Sequence, residues 1–464
     1  MTLIEQFVDR LIEFRARPLS DAEVSAARTA LIDTMAVTLL GSTADCARIA
    51  RNTAGIGDAS GAALVYGTAQ RTSALDAAML NGIASHADDY DDFTDIFGGH
   101  PSVPVFPAVL ALAETLGCDG RSLLAAYVAG VELENRIALG VHFHHYEKGW
   151  HPTSTLGVFG AAGAAAHLLD LSREQSVNAI ALAASFASGL KANFGSMAKP
   201  LHVGHCTRSG LQAALLASGG FTARADVFEQ KQGFLNVYNG AGHYDTQSML
   251  GSWFSPPLVL NPGLSIKQFA CCGSTHPSIY MALKLREQGP IAQALVNDGI
   301  ERIDVRVSPK RLPHTNNPDP RSSLQAKFSV QYAVARTLHS GAPRLADFDE
   351  SAYAQPEVRS LMGRLAVASD PQLGEGVSDN AFGSTVRVVL KDGRQFEERT
   401  EHLPGRGREY PMTTPELREK FFDCAAKVLS AERAGQLIDK LERIDEVKDF
   451  REVTADMARA VAAA

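Results

Sequence analysis

The sequence predicts a mostly α-helical protein: a large all-helical domain built from residues 1–266 and 405–464, with a smaller α+β lid domain, residues 267–404, inserted into it. Three observations carry this expectation. Apolar side chains recur at helical spacing between capping signals through the first 265 or so residues. The texture then changes to alternating, strand-like patterns, and after residue 412 the helical pattern returns. At 464 residues the chain also exceeds one ordinary hydrophobic core, which favours two domains.

The helical elements announce themselves by their ends. "SDAEVSAARTALIDTMAVTLLG" opens on a capping box, Ser20 with Glu23, and stops at Gly41. "LSREQSVNAIALAASFASGL" repeats the device with Ser172 and Gln175. "VFPAVLALAETLG" and "RSLLAAYVAGVELENRIALG" end at Gly117 and Gly140. Alanine and glycine are abundant within these stretches, so the helices are expected to approach closely and several to be buried. In the middle part, "GIERIDVRVSP" alternates apolar and polar residues over Ile300–Val307 and reads as a strand. "STVRVVLKDGRQFEERT" reads as a hairpin turning at Asp392-Gly393, and "SSLQAKFSVQYAVARTLHSG" as helix. "TTPELREKFFDCAAKVLS" returns to helix, capped by Thr413 or Thr414.

Composition narrows the function. A hydrophobic fraction of 45% and a charged fraction of 21% belong to a soluble globular protein, and a net charge of −8 lacks the basic excess of a nucleic-acid binder. The six cysteines show no CxxC spacing, which argues against a disulfide framework or a zinc site. "MTLIEQFVDR" carries acids at once, unlike a signal peptide, and no apolar run is expected to reach the ~18 residues that a membrane span takes. A cytoplasmic protein acting on small molecules, with no nucleic-acid or membrane partner, is expected.

Four segments carry chemistry. "HADDYDDFTDIFGGHP" places five aspartates, Asp88, Asp89, Asp91, Asp92 and Asp95, between His86 and His100. They follow a helix, where carboxylates oppose the macrodipole and need partners. The interleaved Tyr90, Phe93, Ile96 and Phe97 suggest partial burial. "DDYDD" resembles the magnesium motif of helical prenyl-chain synthases, which suits hard oxygen ligands. Those enzymes need a second metal motif, and this sequence has none, so no metal is expected. "HFHHYEKGWHPTSTLG" contains His142, His144, His145, Tyr146 and His151 without the i, i+4 spacing of a zinc helix. Its "HPTSTLG" puts backbone N–H groups at a helix start, a seat for a carboxylate or an ordinary cap. "AKPLHVGHCTRSG" brings Lys199, His202 and Arg208, and "SIKQFACCGSTHPSI" brings Lys267 and His276. There is no GxGxxG after a strand, no P-loop and no GxSxG. Acids, imidazoles and lysines without a cofactor motif suit proton transfer on a polycarboxylate, with cations holding the carboxylates and stabilising an enediolate.

The segments "NGIASHADDYDDFTDIFGGHPSVPVFPAVLALAE", "GWHPTSTLGVFGAAGAAAHLL", "AKPLHVGHCTRSGLQAALLA", "IKQFACCGSTHPSI", "AKFSVQYAVARTL" and "PMTTPELREKF" together resemble the MmgE/PrpD family, that of 2-methylcitrate dehydratase. The likeness runs in order over nearly the whole chain. It implies a helical domain with an α+β lid, a homodimer, an active site between domains and no organic cofactor. Activities known in the family include 2-methylcitrate dehydration, cis-aconitate decarboxylation and iminodisuccinate epimerisation. By motif position the family's acid falls on Asp89, its histidines on His100 and His151, and its lysines on Lys199 and Lys267. His202 and His276 accompany those lysines. Phe93 precedes Thr94, the reverse of the family's usual order, and "FACC" replaces a Tyr/Pro-containing version, so the chain most resembles the iminodisuccinate epimerases within the family.

The leading expectation is therefore an epimerase that inverts a carbon beside a carboxylate by two-base proton transfer. Tyr146 and Lys199 would be the opposed pair, with His100 and Asp89 in the chemistry. Lys267, His276, His151, His202, Arg208 and Phe93 would bind substrate. The alternative is a lyase on a tricarboxylate, a 2-methylcitrate dehydratase or a cis-aconitate decarboxylase-like enzyme. A non-enzymatic binder of small polycarboxylates is the third reading.

Overall fold

The computed structural model of the chain describes residues 1–94, 96, 98–373, 383–401 and 411–462. Asp95 and Phe97 of the acidic stretch lie outside these residues, as does the expected second domain boundary at 404/405. The chain divides into two compact units, Met1–Ile266 with Pro411–Ala464, and Lys267–Tyr410.

The first unit is a helical bundle whose helices start where their caps stand. Ser20 and Glu23 cap Asp21–Gly41, Ser172 and Gln175 cap Arg173–Ala184, and Thr413 with Glu416 caps Thr414–Ala425. Each box satisfies two otherwise unpaired N–H groups, and losing such a cap costs about 1 kcal/mol. Helix Ser102–Leu116 stops at Gly117, which takes a left-handed φ of 71°. Gly120–Val141 instead runs one residue past the glycine expected to end it.

Helix Asp21–Gly41 corrects one expectation: among the described residues it is long and apolar enough, by composition, to cross a membrane. Its residues from Ala30 to Gly41 are all buried inside the bundle. A helix apolar on every face is what a central core helix requires. Its buried Asp33 lies 2.5 Å from the ammonium of Lys420, so the C-terminal helix Thr414–Ala425 is tied to it by an ion pair as well as by packing.

The second unit holds a four-stranded sheet in the order Leu365–Ser369, Ile300–Val307, Ser384–Leu390, Gln395–Thr400. The strand expected at Ile300–Val307 is present, and the Asp392-Gly393 hairpin pairs Ser384–Leu390 with Gln395–Thr400 antiparallel. Leu365–Ser369 adds a parallel edge strand that the sequence pattern did not reveal. It has only small and aliphatic residues, three of the five exposed and two partly so, without clean alternation. Inward residues Ile303, Val305, Val386 and Val388 form one core with Leu285, Ile291, Val330 and Val334 from the covering helices. The single helix expected over "SSLQAKFSVQYAVARTLHSG" is two, Ser323–Lys327 and Val330–Ser340. The break comes at Phe328–Ser329, where the Ser329 side chain caps the second.

Candidate active site

The site grows from two helices that cross closely. Helix Ala74–His86 is capped by Ser73 and packs against helix Ala198–Ser218. Glycine makes the crossing possible: a Cβ on Gly204 would lie 2.5 Å from both the Met79 carbonyl oxygen and Ile83 Cγ1. One on Gly82 would lie 2.9 Å from Gly204 Cα. The end of the first helix thereby meets the start of the second. Asp89, just beyond His86, forms an ion pair with the ammonium of Lys199, the second residue of its helix. Lys199 is 7% exposed and Asp89 4%, so this is a buried pair.

The acidic stretch turns inward rather than into solvent, and each buried acid has a partner. Asp89 adopts a left-handed φ of 53°, a conformation that aspartate tolerates better than most residues. His86 Nδ1 lies within hydrogen-bond distance of Asp91, 3.0 and 2.9 Å from its two oxygens. His100 Nδ1 lies 2.9 Å from Asp91 Oδ2, without the alignment of a full hydrogen bond, and its Nε2 lies 3.6 Å from Asp89 Oδ1. Asp92 accepts from the Ser102 backbone N–H at 3.3 Å and from its hydroxyl, which also contacts the Tyr127 hydroxyl at 2.6 Å. Lys420 donates to the Tyr90 carbonyl at 2.8 Å. Phe93 and Ser265 exchange both backbone hydrogen bonds, at 3.0 and 2.9 Å. The His100 backbone N–H donates to Thr153 Oγ1 at 3.1 Å, tying this loop to the "HPTSTLG" segment. These bonds offset the cost of placing carboxylates after a helix C-terminus.

A second set of imidazoles adjoins the first. His151 precedes the short helix Pro152–Thr155 and is buried, with its Nδ1 3.3 Å from His202 Nδ1. Its ring stacks 5.7 Å from that of His86, while the His100 ring meets His86 edge-on at 4.6 Å. His145 plays a different part. It bridges Asn239 Oδ1 at 2.9 Å and Thr155 Oγ1 at 2.7 Å, which anchors the loop.

Burial and neighbouring charge set the protonation states. Burial alone would push Asp91 up, but the charges and hydrogen bonds of His100 and His86 hold it well below the usual carboxylate range. Burial lowers His86 to about 4, with Asp91 opposing and Lys199 reinforcing the shift. The pair is therefore an anionic carboxylate accepting from a neutral imidazole. Burial also holds His151 well below its ordinary value, and lowers His202. Asp92 is pushed well above its ordinary value, first by burial and then by the charge of Asp33.

The expected residues do not all converge. Asp89, His100 and Lys199 meet directly, and His151 and His202 join them through the His86 ring. Arg208 does not join. It lies 2.7 Å from Asp76 in the first turn of helix Ala74–His86, ten residues and about 15 Å along the helix from His86. Its guanidinium braces the two helices. Tyr146 lies against Gly98, with the Lys191 ammonium 3.5 Å over its ring and 2.9 Å from its carbonyl oxygen. The Phe93 backbone closes the loop on Ser265. Lys267 and His276 belong to the second unit and are buried there. His276 Nε2 lies 3.3 Å from the Cys271 carbonyl oxygen, and its ring packs 5.2 Å from Phe269.

Two residues were missed, His86 and Asp91. They stand five apart in the quoted stretch, and the helix stop at His86 was the available signal. His86, Asp89, Asp91 and His100 each bring a donor atom within 4.8 Å of the others, a spacing that could also hold a metal ion. Here the Lys199 ammonium occupies Asp89, and Asp91 is engaged by His86 and faces His100, so these donors serve one another.

A buried carboxylate–ammonium pair with imidazoles around it, inside a bundle drawn tight by glycines, holds the groups that acid–base chemistry uses. Its family follows from comparison: residues 5–247 match the MmgE/PrpD N-terminal domain and residues 269–444 the MmgE/PrpD C-terminal domain. The chain belongs to the MmgE/PrpD family. It is similar to the human cis-aconitate decarboxylase, with 30% identity covering 98% of this chain and 94% of the relative. The cis-aconitate decarboxylase of Aspergillus terreus (strain NIH 2624 / FGSC A1156) is 28% identical over 84% of this chain and 82% of its own. The 2-methylcitrate dehydratase of Cupriavidus necator is 26% identical over 71% of each. These relatives are lyases by name, where the sequence by itself pointed to the epimerase branch.

Proposed function

We propose that the protein is a cofactor-independent lyase acting on a small tricarboxylate, with decarboxylation of cis-aconitate as its leading reaction. The observation that carries this reading is the buried Asp89–Lys199–His100 cluster, in a chain whose relatives include cis-aconitate decarboxylases. The reaction asks for cations that hold carboxylates and an acid that delivers one proton to carbon. The bond to the leaving carboxylate breaks and its electron pair forms a new double bond. The former alkene pair takes a proton at the carbon beside a second carboxylate, and carbon dioxide departs. His100 is the proton donor in this scheme and Asp89 its neighbouring carboxylate. Lys199 supplies the cation for the remaining carboxylates, with His151 and His202 in the adjoining set of imidazoles.

Dehydration of a 2-methylcitrate-like substrate is the second reading, favoured by the Cupriavidus necator relative. There the same cluster removes a proton beside a carboxylate and protonates the departing hydroxide. Two-base epimerisation has less support, because the relatives are named as decarboxylases and a dehydratase. A homodimer is part of the proposal, checked by light scattering on the purified protein. The activity test is proton NMR in D₂O with cis-aconitate, 2-methylcitrate and iminodisuccinate in separate tubes. The expected result is a dicarboxylic alkene one carbon shorter than cis-aconitate, carrying deuterium beside a carboxylate. Solvent exchange on iminodisuccinate with no turnover of either tricarboxylate would overturn the proposal.

A further inference from the structure

Asp91 touches neither Asp89 nor Lys199 in the contacts that build the cluster, yet it is fully buried between two histidines. His86 Nδ1 lies 3.0 and 2.9 Å from its oxygens, and His100 Nδ1 lies 2.9 Å from Oδ2. A carboxylate only accepts hydrogen bonds, so an imidazole nitrogen held against it carries the proton. In the neutral form of each ring the opposite nitrogen then keeps its lone pair. For His100 that nitrogen, Nε2, faces Asp89, whose carboxylate pairs with Lys199. For His86 it is buried without a hydrogen-bond partner, in a ring flanked by His100 and His151. A carboxylate that settles which ring nitrogen bears the proton is the arrangement that orients a catalytic imidazole.

We propose that Asp91 is a positioning residue that locks His100 and His86 as Nδ1–H tautomers, so that His100 presents Nε2 to the reacting carbon. The role in turnover rests on the lyase reading above; the tautomer assignment does not. The His86 bond is the fixed half of the device, since it is aligned and doubly placed. The His100 contact is short but off its axis, and a small ring rotation completes it, the tightening that substrate binding brings to such bonds. His100 takes a proton from solvent at Nε2, Asp91 stabilises the imidazolium so formed, and Nε2 then delivers that proton to carbon, while His86 keeps Asp91 from turning away.

The experiment uses the full chain with ¹⁵N-labelled histidine and two-bond proton–nitrogen correlation, assigned with His86→Gln and His100→Gln. Both rings are expected as Nδ1–H tautomers with unprotonated Nε2. A wild-type His100 carrying its proton on Nε2 alone overturns the proposal. In Asp91→Asn, the amide offers one accepting oxygen where two imidazoles need one each, so one ring is expected to switch tautomer. With substrate, kcat is expected to fall about 10²–10⁴-fold while KM stays within about threefold, and Asp91→Glu to recover part of the rate. A folded Asp91→Asn enzyme with kcat within about threefold of wild type overturns the proposal. If that variant does not fold, the wild-type spectrum decides. If no tricarboxylate is turned over, the lyase reading fails, and the same spectrum still decides the tautomer.

Discussion

Replacing Lys199 by methionine tests the centre of the site. The change keeps the length and apolar stem of the side chain and removes its charge, leaving the Asp89 carboxylate buried against an uncharged chain end. Both partners are nearly sealed from water, so solvent screens the pair weakly. Removing one partner of such a pair costs about 3–5 kcal/mol, most of it from the charge left behind. The unit that contains the pair spans ~320 residues, and an unfolding entropy of about 2.1 cal/mol/K per residue gives about 0.7 kcal/mol/K for it. The melting temperature should therefore fall by about 4–7 °C, read by circular dichroism. The double variant Asp89→Asn/Lys199→Met removes both charges and should recover more than half of that loss, while turnover of cis-aconitate by either variant stays at least about 10²-fold below wild type. A single variant that melts within about 1 °C of wild type and keeps its rate would refute the reasoning, as would a double variant whose stability loss is the sum of the two singles.

Gly204→Ala forces a Cβ into the Met79 carbonyl at the helix crossing, and should cost about 1–3 kcal/mol in urea unfolding and lower kcat together with stability, because it parts Asp89 from Lys199. Arg208→Met should lose about 1 kcal/mol, with no further loss when combined with Asp76→Asn, and leave KM in place; a raised KM would return Arg208 to substrate binding. Burial pushes Glu134 well above its ordinary value, so its folded form holds a proton that the unfolded chain releases from about pH 4.5 upward. Its contribution to stability thus declines as pH rises, and Glu134→Gln should gain on wild type in melting scans from pH 5 to 9. The opposite sign holds for His145 and His167, both lowered to about 4 by burial. Below about pH 6.5 the unfolded chain takes up protons that these folded rings refuse, so stability should fall from there toward pH 4. His145→Gln should flatten part of that limb.

Much of the bundle was legible because helix ends are local. Ser20, Ser172 and Thr413 sit three residues before the acid or amide that completes each box, and nothing distant is needed to read them. The edge strand Leu365–Ser369 was not legible, since its pairing to Ile300–Val307 comes from a neighbour some sixty residues earlier and not from its own alternation. The candidate residues divide in the same way. Asp89, His100 and Lys199 carried recognisable motifs and do meet. Arg208 sits in the same motif, yet it lies nine residues along the helix and finds Asp76 first. The aromatics interleaved in the acidic stretch suggested only partial burial, whereas Asp91 and Asp92 are fully buried.

By itself the sequence determined the helical character of the first unit, the strand texture of the second and the kinship to one family, because spacing, caps and motifs are written along the chain. Only the tertiary structure decided how the charges pair. Asp89 and Lys199 are 110 residues apart, and Lys420 reaches the Tyr90 carbonyl across 330. A run of aspartates carries no information about which will face an ammonium, which an imidazole and which a hydroxyl. That depends on where the close crossing at Gly82 and Gly204 brings the helix ends, and a buried charge persists only where the fold has placed a partner beside it.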